Sequence, residues 1–314
     1  MRVFVAGATG AVGRPLIQML VDAGHDVVGT TSTQANLPAI TELGATAVVM
    51  DALDPESVRT AVLDSRPDAV IHQLTALKAM TGNMRKFDSD FAVTNRLRTE
   101  GTDNLLDAGR ESGTKRFIAQ SFTGWTNPRT VSGLATEEDP LDPHPTKASR
   151  HTLAAIAHLE EVVPAAQGMT GIVLRYGFLY GPGSGLSRDG DMSELVRKRK
   201  FPIAGDGGGV WPLLHVEDAA LAAVRALEHG DAGLYNVVDD DPAPVREWLP
   251  ALAAELDAKP PMRLPRWLGR LAAGEHAVSM MNSVRGSSNA KAKRELGWRP
   301  SYPSWRDGFQ ERLG

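Results

Sequence analysis

The stretch Gly7-Ala8-Thr9-Gly10-Ala11-Val12-Gly13 decides how this chain folds. It follows the short apolar run Arg2–Ala6, which predicts a buried strand, and it opens the amphipathic segment Val12–Ala23, which predicts a helix. Glycines at this spacing permit a tight turn, a close approach of backbone to a pyrophosphate, and close packing of helix on strand. The helix N-terminus offers free N–H groups to phosphates. The stretch therefore predicts a dinucleotide-binding turn, with a glycine-rich turn that binds nothing as the alternative.

Short apolar runs and longer amphipathic segments alternate after this turn. Runs such as Val3-Phe4-Val5 lack polar alternation, which is typical of a parallel sheet covered on both faces. The repetition predicts an α/β fold with a Rossmann-type, doubly wound parallel sheet. The predicted strands are Arg2–Ala6, Asp26–Thr30, Thr46–Val49, Ala69–His72, Arg116–Gln120, Gly171–Arg175 and Leu234–Val238, and the predicted helices are Val12–Ala23, Pro55–Leu63, Asn95–Ser112, Glu217–Glu228 and Val245–Leu256.

The composition of the chain changes after about Tyr176, where segments rich in glycine and proline separate shorter elements. We expect residues 1–175, with 211–240 returning to the sheet, to form the dinucleotide-binding domain. Residues 176–210 and 241–314 are expected to form a smaller C-terminal substrate-binding lobe.

Composition narrows the classes of function. The 314 residues carry a net charge of −4, which does not suggest nucleic-acid binding. No apolar run reaches ~18 residues, so no membrane span is expected. Cysteine is absent, which removes disulfides and thiolate chemistry, and no metal site is predicted. The N-terminus has the form of a strand and a turn, not of a signal peptide, so we expect a cytoplasmic protein with a small-molecule substrate.

The end of the second predicted strand bears on the choice of cofactor. An acid that binds the ribose 2′-hydroxyl of NAD is expected ~20 residues beyond the glycines. Hydroxyl side chains, among them Thr31 and Ser32, stand there instead, and Arg14 on the first helix either adds a charge or is a solvated surface residue. This predicts NADP. No arginine replaces the acid, so NAD stays the alternative.

Several different sequence motifs follow the glycine turn in a fixed order along the chain. Beyond the GxxGxxG turn they include Arg175-Tyr176-Gly177-Phe178-Leu179-Tyr180-Gly181-Pro182-Gly183, His215-Val216-Glu217-Asp218-Ala219 and the closing Ala292–Pro300 segment with its Leu-Gly-Trp. Over nearly its full length the chain resembles the extended short-chain dehydrogenase/reductase family, which includes NAD(P)-dependent nucleotide-sugar epimerases and dehydratases.

This resemblance implies a set of cofactor contacts. Asp51 and Ala52 would contact adenine, Leu74–Ala76 would pass beside the nicotinamide ribose, and Asn95 would stabilise the central helix. Asp54 is expected to cap the helix that follows it. The cofactor-binding residues expected in all are Gly7, Thr9, Gly10, Ala11, Val12, Gly13, Arg14, Thr31, Ser32, Asp51, Ala52, Leu74, Thr75, Ala76, Asn95, Gln120, Tyr176, Gly177 and Phe178.

The catalytic half departs from the family pattern. Members usually carry Tyr-x-x-x-Lys on the fifth helix, and this chain has no such motif. Alignment on the downstream acid Glu160 puts Thr152 in place of the tyrosine and Ile156 in place of the lysine. The position of the usual catalytic serine falls on Phe122. A threonine hydroxyl is too weak an acid to replace the tyrosine in general acid catalysis.

Replacement chemistry is expected near the same cleft. Ser121 and Thr123 are candidates to polarise a carbonyl, and His151 or Lys147 to supply the proton. Lys78, in the loop after the fourth strand, is a weaker candidate. Each of these cations has a solvated surface position as its alternative.

Two classes of function remain open at this point. The first is an NAD(P)-dependent oxidoreductase, or an epimerase/dehydratase-like enzyme, acting on a small carbonyl, hydroxyl or sugar-nucleotide substrate. The second is a non-catalytic NADP-binding redox sensor or regulatory protein. The basic run Arg197–Lys200 either meets an anionic group of the substrate or is a solvated helix end. The fourth and fifth helices, with the apolar stretch Leu153–Ala157, are expected to form a homodimer, with burial of this stretch inside one subunit as the alternative.

Overall fold

The computed structural model describes residues 1–77 and 84–314 of the chain, so the candidate Lys78 lies outside the described residues. The strands are β1 Arg2–Ala6, β2 Asp26–Thr31, β3 Thr46–Val49, β4 Ala69–His72, β5 Arg116–Phe122, β6 Thr170–Tyr176, β7 Phe178–Tyr180, β8 Ile203–Ala204, β9 Val210–Trp211, β10 Leu213–His215, β11 Gly233–Val237, β12 Ala243–Pro244 and β13 Arg263–Leu264.

The α-helices lie between the strands and, towards the C-terminus, beside them. They are α1 Gly13–Asp22, α2 Leu37–Thr41, α3 Pro55–Ser65, α4 Phe87–Asp90, α5 Ala92–Arg96, α6 Thr102–Ser112, α7 Arg150–Val162, α8 Asp191–Arg197, α9 Val216–Glu228, α10 Val245–Glu255, α11 Arg266–Ala273, α12 Glu275–Asn282, α13 Ala290–Glu295 and α14 Trp305–Arg312. Among the described residues, no helix is both long enough and apolar enough to cross a membrane.

Seven parallel strands form the central sheet, in the order β11-β6-β5-β4-β1-β2-β3. The chain runs outward from β1 to β3 on one side and from β4 to β11 on the other, so β1 and β4 are neighbours across the point where the order reverses. The carboxyl ends of strands at such a switch point form the crevice in which ligands of open α/β sheets bind. The expected doubly wound sheet is confirmed, and β5 and β6 run two residues and one residue farther than the sequence predicts.

Both faces of the sheet are covered by helices, which explains the apolar strands. One face packs on α1 and α9 through residues such as Leu16, Ile17 and Ala223. The other face packs on α3, α6 and α7 through residues such as Val62 and Leu105. A third hydrophobic cluster belongs to the C-terminal elements and is centred on Trp211, Trp248, Trp305 and Phe309. The assignment of residues to two domains stays a prediction.

The long helix expected over Asn95–Ser112 is interrupted. α5 ends at Arg96, a π-helical turn covers Leu97–Gly101, and α6 resumes at Thr102. The carbonyl of Leu97 is bound by side chains: His72 Nε2 lies 3.3 Å from it and the Thr102 hydroxyl 3.4 Å. A widened turn of this kind inside a helix often occurs at functional sites.

The apolar stretch on α7 is used inside the single chain. Leu153, Ala155 and Ile156 are all buried, while Ala154 is exposed. Burial within the fold therefore accounts for the apolar character of this stretch, and the homodimer stays a prediction.

Candidate active site

The glycine turn has the form that a bound pyrophosphate requires. Gly7 has φ +96°, and a Cβ there would lie 2.8 Å from the Gln73 carbonyl oxygen. A Cβ on Gly13 would lie 2.2 Å from the Gly7 oxygen, so the turn and helix α1 can meet only through glycine. Gly10 differs, because a Cβ there would meet only the Gly7 oxygen at 3.5 Å. The outer side of Gly10 is open, which leaves its backbone accessible to a ligand.

The N-terminus of α1 is free to bind an anion. Its first turn carries no acidic residue, and Val12 at the N-cap provides no side-chain hydrogen bond. The N–H groups and the positive end of the helix dipole therefore lack a side-chain partner among the described residues. The loop of Gly183 closes over Ala11, since a Cβ on Gly183 would lie 3.6 Å from Ala11. Thr9 and Ala11 are half-buried beside this opening. The residues present fit a dinucleotide.

The side of the crevice where the family resemblance implies adenosine lies at the ends of the paired strands β2 and β3. Thr31 is buried, and its hydroxyl accepts from Thr33 N at 3.3 Å, whereas Ser32 and Arg14 are exposed and form no ion pair with any described residue. Asp51 is exposed and accepts from Leu53 N at 2.9 Å.

The neighbouring Ala52 is buried, and its carbonyl accepts from Asn104 Nδ2 at 3.0 Å. Asp54 caps α3 by accepting from Glu56 N at 3.1 Å, which confirms its expected role.

The opposite side of the crevice is formed by the loop after β4. Leu74 and Ala76 are half-buried and Thr75 is exposed. The Thr94 hydroxyl accepts from Ala76 N at 3.0 Å, and His72 Nδ1 accepts from Leu74 N at 3.2 Å. Burial lowers the pKa of His72 to about 4, so its ring is neutral and Nε2–H donates to Leu97. These bonds fix the backbone of Leu74 and Ala76.

The strand ends β5 and β6 complete the crevice. Gln120 Nε2 lies 3.5 Å from the Leu74 carbonyl oxygen. Tyr176 is buried, its hydroxyl accepts from Gln73 and donates to the Ala219 carbonyl, and burial raises its pKa above the usual range. Only the backbone of Tyr176 is therefore open to a ligand. Gly177 packs against the Pro212 carbonyl, where a Cβ would come within 2.3 Å, and Phe178 is half-buried in the cleft.

Thr152 is held in a closed hydrogen-bond network. It is fully buried, and both its N–H and its hydroxyl donate to Asp88 Oδ1, at 2.8 and 2.7 Å. Asn95 Nδ2 donates to the same hydroxyl at 3.1 Å, so Asn95 joins α5 to α7. Asp88 also accepts from His151 N at 3.0 Å. The carboxylate thus binds the N-terminus of α7, where a negative charge is stabilised.

The other candidates on and beside α7 differ in exposure. Ile156 is fully buried and apolar. The side chains of His151 and Lys147 are exposed at the start of the helix. The structure therefore places no buried cation on α7 one turn beyond Thr152.

Ser121 belongs to a buried charged cluster. Its hydroxyl donates to Glu160 Oε1 at 2.7 Å, and Arg175 donates to both oxygens of Glu160, at 2.8 and 2.5 Å. Arg98 lies near this carboxylate, and burial lowers its pKa to about 10, so it is charged at neutral pH. Because side chains alternate along a strand, Ser121 faces away from its half-buried neighbours Gln120 and Phe122.

Thr123 also has its hydroxyl engaged. It is fully buried, with Ser287 Oγ at 2.7 Å and Asn127 Oδ1 at 3.3 Å. Asn127 Nδ2 in turn donates to Ser287 at 3.1 Å. This network joins the end of β5 to the C-terminal segment.

An aromatic wall, made of Phe122, Trp125 and Phe178, lies at the end of β5. All three side chains are half-buried. The Phe122 ring lies 5.0 Å from that of Phe178 and 6.0 Å from that of Trp125, measured between centroids. Gly124 lies between Phe122 and Trp125 in the chain with φ +134°, and a Cβ there would lie 3.0 Å from the ring of Phe178. The cleft beside the strand end is therefore apolar and aromatic.

Comparison with known proteins shows which family the chain belongs to. Residues 3–238 match the model of the NAD dependent epimerase/dehydratase family. The chain belongs to that family. The expected family resemblance and the Rossmann-type fold are thereby confirmed, and the chain is an enzyme of this family of epimerases, dehydratases and reductases.

Similar proteins within this family include reductases and epimerases. The chain is 43% identical over 312 residues to 3-diazoavenalumate denitrifying reductase from a Streptomyces species, covering 98% of this chain and 99% of that protein. It is 28% identical over 266 residues to 2-alkyl-3-oxoalkanoate reductase from Stenotrophomonas maltophilia, covering 82% and 76%. A solved structure of UDP-glucose 4-epimerase from Thermus thermophilus in complex with NAD is 26% identical, with a TM-score of 0.75, covering 100% and 98%.

Two residues near the site were missed by sequence reasoning. Asp88 binds Thr152 across 64 positions of sequence. His276, on α12, is buried, contacts the rings of Phe87 and Trp125 at 4.4 and 5.3 Å, and bonds through Nδ1 to the Thr146 hydroxyl at 3.0 Å. Burial lowers the pKa of His276 to about 4. Neither residue lies in a motif of the family resemblance, so the sequence carried no signal for them.

Proposed function

We propose that this chain is a reductase that delivers a hydride to a carbon bearing a diazonium group and releases that group as N2. The observation that carries the proposal is the state of Thr152: its hydroxyl proton is donated to Asp88, and the side chain one turn later is the buried, apolar Ile156. At the position where the family resemblance implies a tyrosine and a lysine, the chain therefore offers no proton donor. The full-length relative whose name describes a denitrifying reductase of a 3-diazo compound supports this reaction class.

The chemistry of the two substrate classes differs in the need for a proton. Reduction of a carbonyl makes an alkoxide that an acid must protonate, a contribution typically worth ~10²–10⁴ in rate. When bound, reduced nicotinamide supplies a hydride whose electron pair forms the new C–H bond. A diazonium substrate loses its C–N electron pair with the departing N2, so the charges balance and no proton is taken up. The residues of this chain are therefore required to bind and orient the substrate and to exclude water.

The aromatic wall provides a surface suited to an aryl cation. Phe122 occupies the position that the family resemblance gives to a catalytic serine, and Trp125 and Phe178 flank it. Aromatic faces attract a cation by ~0.5–2 kcal/mol, and more strongly where water is excluded. They also stack on an aryl ring. Under this proposal Ser121, Thr123, His151 and Lys147 transfer no proton, in contrast to the expectation from the sequence.

We propose NADP as the preferred cofactor. Ser32 and Arg14 support this choice. Ser32 is exposed directly after β2, and Arg14 is exposed on the first turn of α1 with no ionic partner among the described residues. A hydroxyl and a guanidinium suit a 2′-phosphate, and no carboxylate follows Thr31 to repel it.

A matched pair of substrates tests the reaction. We expect benzenediazonium to be reduced at least 100-fold faster than benzaldehyde, since only the aldehyde needs the missing acid. With NADPH deuterated at the transferred position, the arene should carry deuterium in ordinary water, with one N2 released for each cofactor oxidised. The rate should be the same in D2O. The Gly10→Val variant, which should not bind cofactor, measures the uncatalysed reaction.

Three outcomes would contradict the proposal. Reduction of benzaldehyde at a comparable rate would show that a proton donor is present. Deuterium entering the arene from solvent would show that the hydride does not reach the carbon. Tight NADPH binding without turnover of either substrate would favour the alternative of a redox sensor.

A further inference from the structure

A loop of residues 181–187 lies against the glycine turn at the start of α1. Gly183 has φ +77°, and a Cβ there would lie 3.6 Å from both the Cα and the Cβ of Ala11. The Ser184 hydroxyl donates to the Gly181 carbonyl at 2.8 Å, and Ser184 N donates to the same oxygen at 3.1 Å. Contact at van der Waals distance leaves no gap through which a phosphate group could pass between loop and turn. A phosphate that enters or leaves the turn on this side therefore requires the loop to move.

One helix, α14, holds the chain on both sides of this loop. Before the loop, a Cβ on Gly308 would lie 2.3 Å from the Tyr180 hydroxyl oxygen, so the helix backbone packs directly on Tyr180. After the loop, Arg188 N donates to the Leu313 carbonyl at 2.7 Å. The loop itself contains three glycines, which give its backbone more freedom than other residues would. Its position therefore depends on contacts outside the loop, among them those with α14.

Tyr180 joins the loop to α14 by packing and not by a hydrogen bond. Its side chain is fully buried, and its hydroxyl has no hydrogen-bond partner among the described residues. The ring contacts the rings of His215 and Phe309, with 5.2 Å between centroids in each pair. Because the ring is held by van der Waals contact alone, a methyl group added to Gly308 must displace either the ring or the helix.

Two acids anchor α14 to the segment that follows β11. Asp239 Oδ2 accepts from Trp305 N at 3.1 Å. Asp241 Oδ2 accepts from the Ser304 hydroxyl at 2.8 Å and from Arg306 Nε at 3.0 Å. Negative charges are stabilised at the N-terminus of a helix. Since β11 is a strand of the central sheet, α14 connects the sheet to the loop that borders the glycine turn.

We propose that α14 controls the release of the cofactor. Through Tyr180 and Arg188 it keeps the 181–187 loop against the glycine turn, and the opening of this loop limits the rate at which the cofactor leaves. Opening of a loop over a bound ligand sets the rate of release in many enzymes. Tyr180 and Gly308 are positioning residues, since both are buried and act on the site through the loop. The inference rests on the cofactor binding of the proposed function and is independent of the diazonium reaction.

A reversible cross-link tests the proposal within one protein. The chain has no cysteine, and a Cβ on Gly314 would lie 3.9 Å from the Arg188 Cβ, a distance that suits a disulfide. The variant with Arg188→Cys and Gly314→Cys is loaded with NADPH, and release into an excess of NADP is followed by stopped-flow fluorescence. We expect oxidation to slow release about 10-fold and dithiothreitol to restore it. Arg188→Cys alone should release NADPH at the wild-type rate in both conditions.

A change inside the contact tests the opposite direction. Gly308→Ala places a methyl group 2.3 Å from the Tyr180 hydroxyl oxygen, so it should loosen the loop and speed NADPH release about 10-fold. Adenosine 2′-monophosphate has no pyrophosphate, and its Kd should be unchanged. Gln310→Ala, at an exposed position of the same helix, should alter neither ligand. If Gly308→Ala does not fold, Asp241→Ala removes two bonds to the start of α14 and should speed release about 3-fold.

The proposal is overturned if the oxidised and reduced cross-linked variant release NADPH at the same rate. It is also overturned if Gly308→Ala weakens adenosine 2′-monophosphate as much as NADPH, which would show a general distortion of the fold. NADH replaces NADPH in these measurements if it binds more tightly, and a wild type that binds neither contradicts this inference and the proposed function together.

Turnover separates the two proposals. A failure of diazonium reduction, with release rates that respond to the cross-link, contradicts only the proposed function. Diazonium reduction with release rates that do not respond to the cross-link contradicts only the role of α14.

Discussion

The glycine turn at Gly7–Gly13 and the region of β5 and α7 face the same crevice but are built differently. At the turn, steric limits decide the residues, since a Cβ on Gly13 would lie 2.2 Å from the Gly7 oxygen. Around α7, side-chain hydrogen bonds decide which groups can react, and the Thr152 hydroxyl donates to Asp88 instead of to a substrate. A site formed by backbone can change little without loss of the fold. A site formed by side chains can change its residues, and with them its chemistry, while the strands and helices stay the same.

The largest expected effect separates two glycines of the same turn. Gly10→Val places its side chain where a Cβ meets only one atom at 3.5 Å, so we expect an unchanged melting temperature within a few degrees. The branched side chain should block the pyrophosphate and raise the Kd for NADPH at least 100-fold. Fluorescence titration of NADPH measures the affinity, and circular dichroism the stability.

Gly13→Ala is the matched change within the turn. Its methyl group would come within 2.2 Å of the Gly7 oxygen, so we expect a loss of stability of about 3 kcal/mol or more. NADPH affinity that is unchanged in Gly10→Val would remove the turn from the binding site. Equal stability of the two variants would contradict the steric argument.

A change at Glu160 tests the side-chain region for structural dependence. Glu160→Gln leaves Arg175 and the nearby Arg98 without a buried negative partner, which should cost about 3–5 kcal/mol. The exposed pair of Arg96 with Glu100 gives the control, and Glu100→Gln should leave the free energy of unfolding nearly unchanged. Urea unfolding measures both. A small effect at Glu160 would mean that the buried cluster is open to water.

The sequence predicts the backbone-defined part of the molecule well. Strand periodicity and the glycine spacing predict the sheet and its switch point, because both follow from local sterics and from burial on two faces. The capping role of Asp54 was equally local and is confirmed. The π-helical turn was not predicted, since it depends on His72, a residue of another strand, reaching the Leu97 carbonyl.

The side-chain part of the site depends on contacts between distant segments. Asp88 reaches Thr152, Ser287 reaches Thr123, and His276 reaches Thr146 across 130 positions. No spacing rule connects such residues. From the sequence alone a hydroxyl at the end of a strand is therefore expected to be available to a substrate, although in the folded protein it is hydrogen-bonded to another side chain. The absence of Tyr-x-x-x-Lys was visible in the sequence, but the partners of the residues in its place were not.

Acid unfolding tests the contact of His276 with the rings around it. Its pKa is about 4 in the folded chain and ~6.5 when unfolded, so the unfolded state binds the proton first as the pH falls. The stability that depends on neutral His276 is complete above pH 6.5 and is lost between about pH 6.5 and pH 4, up to about 3 kcal/mol. His276→Phe removes this loss, because phenylalanine suits the ring contacts and needs no neutral state.

The measurement is the free energy of unfolding at pH 7 and pH 4.5 for wild type and variant. We expect the wild type to lose more than His276→Phe by about 2–3 kcal/mol over this interval. His144→Gln, at an exposed histidine, should behave as the wild type. Parallel pH profiles for all three proteins would show that His276 is accessible to water.

The smallest expected effect lies at the adenosine side of the crevice, where a single side chain should tune the choice of cofactor. Ser32 is exposed after β2, and a carboxylate there would lie beside a 2′-phosphate. At ~4 Å each pair of like unit charges costs ~1 kcal/mol in water, so Ser32→Asp should weaken NADPH about 10- to 30-fold. The same carboxylate accepts a bond from a free 2′-hydroxyl and should leave NADH unchanged or bound more tightly. Ser32→Asn has the same shape without the charge and should weaken NADPH far less. Two outcomes would contradict this expectation: a wild type that binds NADH more tightly than NADPH, or two variants that weaken NADPH binding equally. In either case the hydroxyl of Ser32 and the missing acid do not determine the preference for NADPH. The adenosine side, like the region of α7, then depends on contacts that its local sequence does not reveal.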